Sequence, residues 1–301
     1  MMYKKILVAL DGSQLAERIL PYARSFAKAL NIPAELLHVI DPETLMPSLV
    51  AKHGRYYNVL TAERADQDNY LKGVAASLPE ATTVDCSVEI GRPAEVIVDR
   101  AAAHAGTLIA MATHGRSGVE RWLLGSVADK VLHATANHLL LVRTTEQAKG
   151  SEAALLERVI VPLDGSELAE TVIPYVAELA TKMNLEIVLL RACALPTPVY
   201  AAEGYAPDLE ELWEQIRKES QEYLDKIGGK LRGEGWDRVS TVLLEGNAAE
   251  KIIDLAHKPP KSLIAMCTHG RTGVGRWVLG SVTDRVVRHS DDPVLVIRAS
   301  S

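Results

Sequence analysis

One seventeen-residue stretch occurs twice in this chain, and the rest has to be folded around it. Thr113-His-Gly-Arg-Ser-Gly-Val-Glu-Arg-Trp-Leu-Leu-Gly-Ser-Val-Ala-Asp129 returns as Thr268-His-Gly-Arg-Thr-Gly-Val-Gly-Arg-Trp-Val-Leu-Gly-Ser-Val-Thr-Asp284. Extended to His133, the first copy matches the second at 14 of 21 positions. Each copy follows a short apolar run, Leu108 to Ala112 and Leu263 to Cys267, and each opens an apolar-periodic segment that reads as a helix. A strand, a glycine-punctuated loop and a helix start form an arrangement that can hold phosphate. Glycines let the main chain turn and a ligand approach it closely. Uncompensated N–H groups and the positive end of the helix dipole then favour an anion. A structural reading stands beside this one: Ser126 with Asp129, and Ser281 with Asp284, make a Ser-x-x-Asp helix start, so the serines could simply cap their helices.

The repeat extends over whole domains. Ile6-Leu-Val-Ala-Leu-Asp11-Gly-Ser returns as Val159-Ile-Val-Pro-Leu-Asp164-Gly-Ser, and Gly91-Arg-Pro-Ala94 as Gly246-Asn-Ala-Ala249. A repeat of this length is a domain, not a solenoid unit. The boundaries fall at 1–146 and 156–301, with a polar, small-residue linker at about 147–155. Within each half, strands alternate with helices. In the first half the strands fall at 6–10, 35–40, 83–90, 107–112 and 139–143, and the helices at 14–30, 61–78, 94–104 and 127–135. That alternation predicts an α/β fold with a parallel, doubly wound sheet and right-handed crossovers. Ligands of such sheets bind beyond the carboxyl ends of the strands. Asp11 ends the first strand and the repeated loop follows the fourth, so a carboxylate would face a phosphate cradle.

Composition excludes several alternatives. The chain has 301 residues, a net charge of −6 and 48% apolar residues with one Phe. Mixed charge gives no basic surface for nucleic acid or anionic membrane. The cysteines, Cys86, Cys193 and Cys267, form no Cys-x-x-Cys or Cys/His cluster, so neither a disulfide framework nor a zinc site is expected. All three read as buried core positions. No run is long enough to span a membrane and no signal peptide precedes Asp11, so a cytoplasmic protein is expected.

Taken together, these motifs resemble the universal stress protein family, once per half. The family pattern Gly-x-x-Gly, nine residues, Gly-Ser/Thr reads here as Ala112-Thr-His-Gly115, nine residues, Gly125-Ser126, and as Cys267-Thr-His-Gly270, nine residues, Gly280-Ser281. The first glycine is replaced in both halves. The resemblance implies two tandem five-stranded Rossmann-like domains of strand order 3-2-1-4-5, paired through their last strands as an internal pseudo-dimer, with a homodimer as a further option. It implies an ATP-binding stress-response sensor with Mg²⁺ beside the triphosphate and a protein partner of unknown identity. Adenine-nucleotide contacts would fall on Asp11, Val39, Ala112, His114, Gly115, Arg116, Gly125, Ser126 and Val127. Their counterparts are Asp164, Ala192, Cys267, His269, Gly270, Arg271, Gly280, Ser281 and Val282. Asp11 and Asp164 would be the metal ligands.

Two other functions stay open on the residues alone. A slow ATP hydrolase needs a positioned nucleophile, yet each site offers one Asp and no catalytic base. A nucleotide-free interaction module is favoured by the two lost glycines and opposed by the retained Gly-Ser pairs. Because Val39 is matched by Ala192 and His38 by Arg191, the first half is expected to bind at least as well as the second.

Overall fold

A computed structural model describes residues 2–44, 56–77, 83–113, 124–143, 156–194, 209–258, 261–268 and 279–298. The chain divides into two compact units, Met1–Leu155 and Leu156–Ser301. The first unit holds β1 (Lys5–Leu10), a 3-10 turn (Ala16–Ile19), α1 (Leu20–Leu30), β2 (Ala34–Ile40), α2 (Tyr56–Ala76), β3 (Val84–Ile90), α3 (Pro93–Ala102), β4 (Thr107–Ala112), α4 (Ser126–Ala134) and β5 (Leu139–Val142). The second holds β6 (Arg158–Pro162), α5 (Glu167–Glu170), α6 (Ile173–Met183), β7 (Glu186–Cys193), α7 (Leu209–Gly233), β8 (Val239–Glu245), α8 (Ala248–His257), β9 (Ser262–Cys267), α9 (Ser281–His289) and β10 (Val294–Ile297).

Within the first unit the strand order is β3-β2-β1-β4-β5, and within the second it is β8-β7-β6-β9-β10. The pairings described inside each unit are parallel. This is the order expected from the resemblance, twice over. The central strands are continuous apolar runs because helices cover both faces. Every residue of β4, β5, β9 and β10 is buried. The only phenylalanine, Phe26 on α1, is fully buried.

One charge sits in this apolar setting. Glu35 on β2 is 1% exposed and accepts from Arg100 Nε at 2.7 Å while pairing with Lys5. Burial pushes its carboxyl pKa up, but the two cations outweigh that and hold it below the ordinary value.

Several helix boundaries differ from the expected ones for local reasons. The segment expected to be one helix from Gln14 to Leu30 is a 3-10 turn followed by α1. Pro21 explains where α1 starts, since proline lacks an N–H and suits the first turn of a helix. Asn31 and Asn184 close α1 and α6 in the left-handed region, with φ of 52° and 55°. Cys193 and Cys267 are buried as expected, whereas Cys86 on β3 is only half-buried. An outer strand has one face less covered, which the apolar character of cysteine does not reveal.

Candidate functional site

The site grows from the ends of β1 and β4, which are adjacent and in register, Ala9 opposite Met111. After β1 the chain turns through Gly12, at φ 80°, and after β6 through Gly165, at φ 91°, a region that favours glycine. Asp11 and Asp164 each anchor a serine two residues on. Asp11 Oδ1 accepts from Ser13 N at 2.9 Å and from Ser13 Oγ at 2.6 Å. Ser13 Oγ in turn accepts from Ala16 N at 3.1 Å. In the second half Asp164 holds Ser166 at the same two distances, and Ser166 caps α5 through Ala169 N. Ser166 caps α5, Ser13 bonds the first residue of the 3-10 turn, and the aspartates fix both serines.

The helices after the repeated loops are started by glycine. Gly125 is the N-cap of α4, with φ −57° and ψ 142°, and makes no side-chain cap. Gly280 is the N-cap of α9, with φ −64° and ψ 143°, again without a side-chain cap. This corrects the reading in which Ser126 and Ser281 cap: each is the first residue inside its helix. The physical cause is the anchoring of the glycine. Gly125 N donates to Thr113 O and Gly280 N to Thr268 O, both at 2.7 Å, so helical geometry can begin only one residue later. The first intrahelical bonds run from Asp129 N to Gly125 O and from Asp284 N to Gly280 O, both 2.9 Å. The N–H groups before them point out of the helix end, without a side chain to cap them.

These parts border a crevice of about 350 Å³ in the first half, lined among others by Asp11, Val39, Ala112, Gly125, Ser126 and Val127. A smaller crevice of about 250 Å³ in the second half is lined by Asp164, Ala192, Cys267, Gly280, Ser281 and Val282. Twelve of the eighteen expected contact residues thus come together, six in each half. His114, Gly115, Arg116, His269, Gly270 and Arg271 lie outside the described residues. Ala112 and Cys267, which replace the family's first glycine, are buried strand ends at the crevice floor. Thr171 Oγ1 donates to Cys267 Sγ at 3.5 Å, and Thr283 Oγ1 to Cys267 O at 2.9 Å.

Strand register confirms the equivalence of the halves. Ala9 lies opposite Leu37 as Pro162 lies opposite Leu190, which makes His38 the counterpart of Arg191 and Val39 that of Ala192. His38 is buried at the first crevice. The Arg191 guanidinium instead lies 4.8 Å from the centre of the Tyr223 ring.

Residues that sequence reasoning missed also shape the site. Asp41, just after β2, and Glu63, on α2, line the first crevice. Two tyrosine tethers tie the long helix of each half to the segment after the first strand. Tyr70 donates to Glu17 at 3.0 Å and Tyr223 to Glu170 at 2.9 Å. Burial, then the bond to Glu170, pushes the Tyr223 phenol well above its ordinary pKa. The only sequence signal was that both partners shift by the same 153 residues as Asp11 to Asp164. Tyr70→Phe is expected to cost about 1 kcal/mol of stability in urea titration, and an unchanged midpoint would mean that the tether contributes nothing.

Among the described residues no three His, Cys, Asp or Glu side chains group as a metal site, and no helix is long and apolar enough to cross a membrane. Each half is an α/β domain whose strand ends bring a carboxylate and an open helix N-terminus to one crevice. The chain belongs to the universal stress protein family, whose sequence model matches residues 2–143 and 156–298. It is similar to a universal stress protein of Methanocaldococcus jannaschii, 32% identical over 146 residues, which are 48% of this chain and 83% of that protein. A universal stress protein of Mycolicibacterium smegmatis is 24% identical over 301 residues, 97% of this chain and 96% of the other. The crystal structure of a universal stress protein from Archaeoglobus fulgidus covers 98% of both chains with a TM-score of 0.71 and 21% identity, a likeness of fold.

Proposed function

We propose that this chain is an adenine-nucleotide-binding stress-response protein, with ATP the ligand of reference and binding the primary event. The observation that carries the reading is the glycine-capped start of α4 and α9, each opening on a crevice with a strand-end carboxylate. Exposed first-turn N–H groups and the helix dipole attract phosphate oxygens. Val39 and Ala192, at the far side of each crevice, would flank the base, and the apolar strand ends exclude water from it.

Magnesium fits as a companion of the phosphates. It binds through one or two carboxylates plus phosphate oxygens and waters, and each crevice offers Asp11 or Asp164 for that purpose. The bound ion would offset phosphate charge. The aspartates keep their orientation through Ser13 and Ser166, and the first-turn N–H groups position the phosphates. Binding would then shift a conformational equilibrium that a protein partner reads. This reading rests on binding alone and includes no turnover.

The test is the nucleotide content of the purified, heat-released protein, together with its melting temperature in Mg-ATP. Stoichiometric adenine nucleotide, or stabilisation of about 2.7 kcal/mol at ligand a hundredfold above Kd, is expected. An empty protein whose melting ignores millimolar Mg-ATP would leave the interaction-module reading in its place.

A further inference from the structure

We propose that the two crevices differ in their need for a cation: the first binds a nucleotide only as its divalent-cation complex, and the second binds it with or without the cation. The inference rests on the nucleotide reading above. It comes from comparing the two crevices position by position, which the internal repeat makes possible.

The described lining of the first crevice contains three carboxylates, Asp11, Asp41 and Glu63, and no lysine or arginine. The second contains one carboxylate, Asp164. The offset that pairs Asp11 with Asp164 and Tyr70 with Tyr223 places Ala194 at the position of Asp41, and Ile216 at that of Glu63. At the end of the second strand the change goes the same way. His38 becomes Arg191, whose guanidinium is held on the Tyr223 ring beside Glu170. From the first half to the second, two carboxylates disappear and a permanent cation appears. In sequence the repeated loops carry the same two arginines in each copy, Arg116 and Arg121 or Arg271 and Arg276, and the first has Glu120 where the second has Gly275.

A nucleotide's phosphates bring several negative charges to this edge of the sheet. Like charges repel in a crevice walled by protein more than they do in water. The helix N-terminus supplies only about half a positive charge, far less than three carboxylates. A divalent cation carried in with the phosphates changes the sign of the balance. No three carboxylates need ligate it together, which agrees with the absence of a metal-spaced cluster among the described residues. In the second crevice, one carboxylate faces a helix N-terminus, so bare phosphate meets less repulsion than it does in the first.

Calorimetric titration of two single-site chains tests the difference. Gly280→Asp leaves the first crevice as the working site, and Gly125→Asp leaves the second. Each is titrated with ATP in excess Mg²⁺ and again in excess EDTA, after a thermal melt has verified folding. EDTA is expected to raise Kd at least about tenfold in Gly280→Asp and less than about threefold in Gly125→Asp. Adding Asp41→Asn and Glu63→Gln to Gly280→Asp should bring its EDTA effect below about threefold. Equal EDTA effects in the two chains, or an effect untouched by the Asp41 and Glu63 changes, overturn the inference while leaving nucleotide binding intact. An intact chain that binds no ATP even with Mg²⁺ overturns the nucleotide reading itself, and this inference with it.

Discussion

A chain carrying Gly125→Asp and Gly280→Asp together is expected to bind Mg-ATP at least about 100-fold more weakly than its parent, while melting at the same temperature or slightly higher. The two halves of this expectation come from the same atoms. Both glycines have ordinary negative φ values, so an L-residue is accepted without backbone strain. An aspartate at an N-cap accepts from the first-turn N–H groups and gains a few tenths of a kcal/mol over glycine. Those are the N–H groups a phosphate would use. The new carboxylate occupies them and adds a like charge, removing two or three charge-assisted bonds worth about 1.5–3 kcal/mol each. Titration calorimetry and thermal melts on one preparation separate the outcomes. Affinity that survives would show that the open helix ends do not hold the ligand. A chain that no longer folds would show that the glycines serve the backbone alone.

The second large effect concerns Asp292, which lies at the end of the sheet remote from the crevice. It is 9% exposed, and its Oδ2 has no hydrogen-bond partner among the described residues. Burial above all pushes its pKa up to about 6, with Asp291 adding to this and His257 and Arg158 opposing it. In the first half the same position is Asn137. Its Nδ2 donates to Thr107 O at 3.0 Å and to Ala101 O at 3.3 Å. The counterparts of those carbonyl residues are Ser262 and Ala256, so Asp292→Asn supplies the missing donor.

A folded pKa above the ordinary carboxylate value means that the native state holds the proton more tightly than the unfolded one. The contribution of Asp292 to stability is then greatest in acid and is lost as pH rises from about 4 to about 6. Asp292→Asn should stabilise the second half by about 1–3 kcal/mol at pH 7.5, with the gain shrinking below pH 5. Denaturant titrations at the two pH values read this directly. A gain independent of pH would show that the hydrogen bonds, not the buried charge, are responsible.

What could be read in the sequence follows from how far apart the cooperating residues are. Strand order came with the family resemblance, whereas crevice position and the match of Val39 to Ala192 were legible because a duplicated strand–loop–helix unit fixes its own register. Residues contributed by a distant surface were not. Glu63 reads as one more polar position on α2, and nothing local shows that this face overlooks Asp11. The Tyr70–Glu17 tether joins residues 53 apart, beyond the reach of helical periodicity. The N-cap assignment failed for another reason. The Ser-x-x-Asp pattern marks a helix start correctly, but the backbone bond from Gly125 to Thr113, invisible in composition, sets the start one residue earlier than a capping serine requires. Even the boundary of α1 depended on one proline inside an otherwise continuous pattern.

The spacing of the repeat carries a practical consequence. Asp11 and Tyr70 find their counterparts 153 residues on, whereas Val84 and everything after it do so at 155. Both added residues therefore fall where the long helix hands over to the third strand, at the amino ends of the strands. In the second half α7 runs to Gly233, four residues past the counterpart of the α2 end, and the turn Glu234-Gly-Trp-Asp-Arg238, with Gly235 at φ 95°, follows it. Duplication has already tried a length change at this corner and left the crevice segments in step. It is the place to graft a fluorophore or an affinity handle on a chain whose opposite edge must stay untouched.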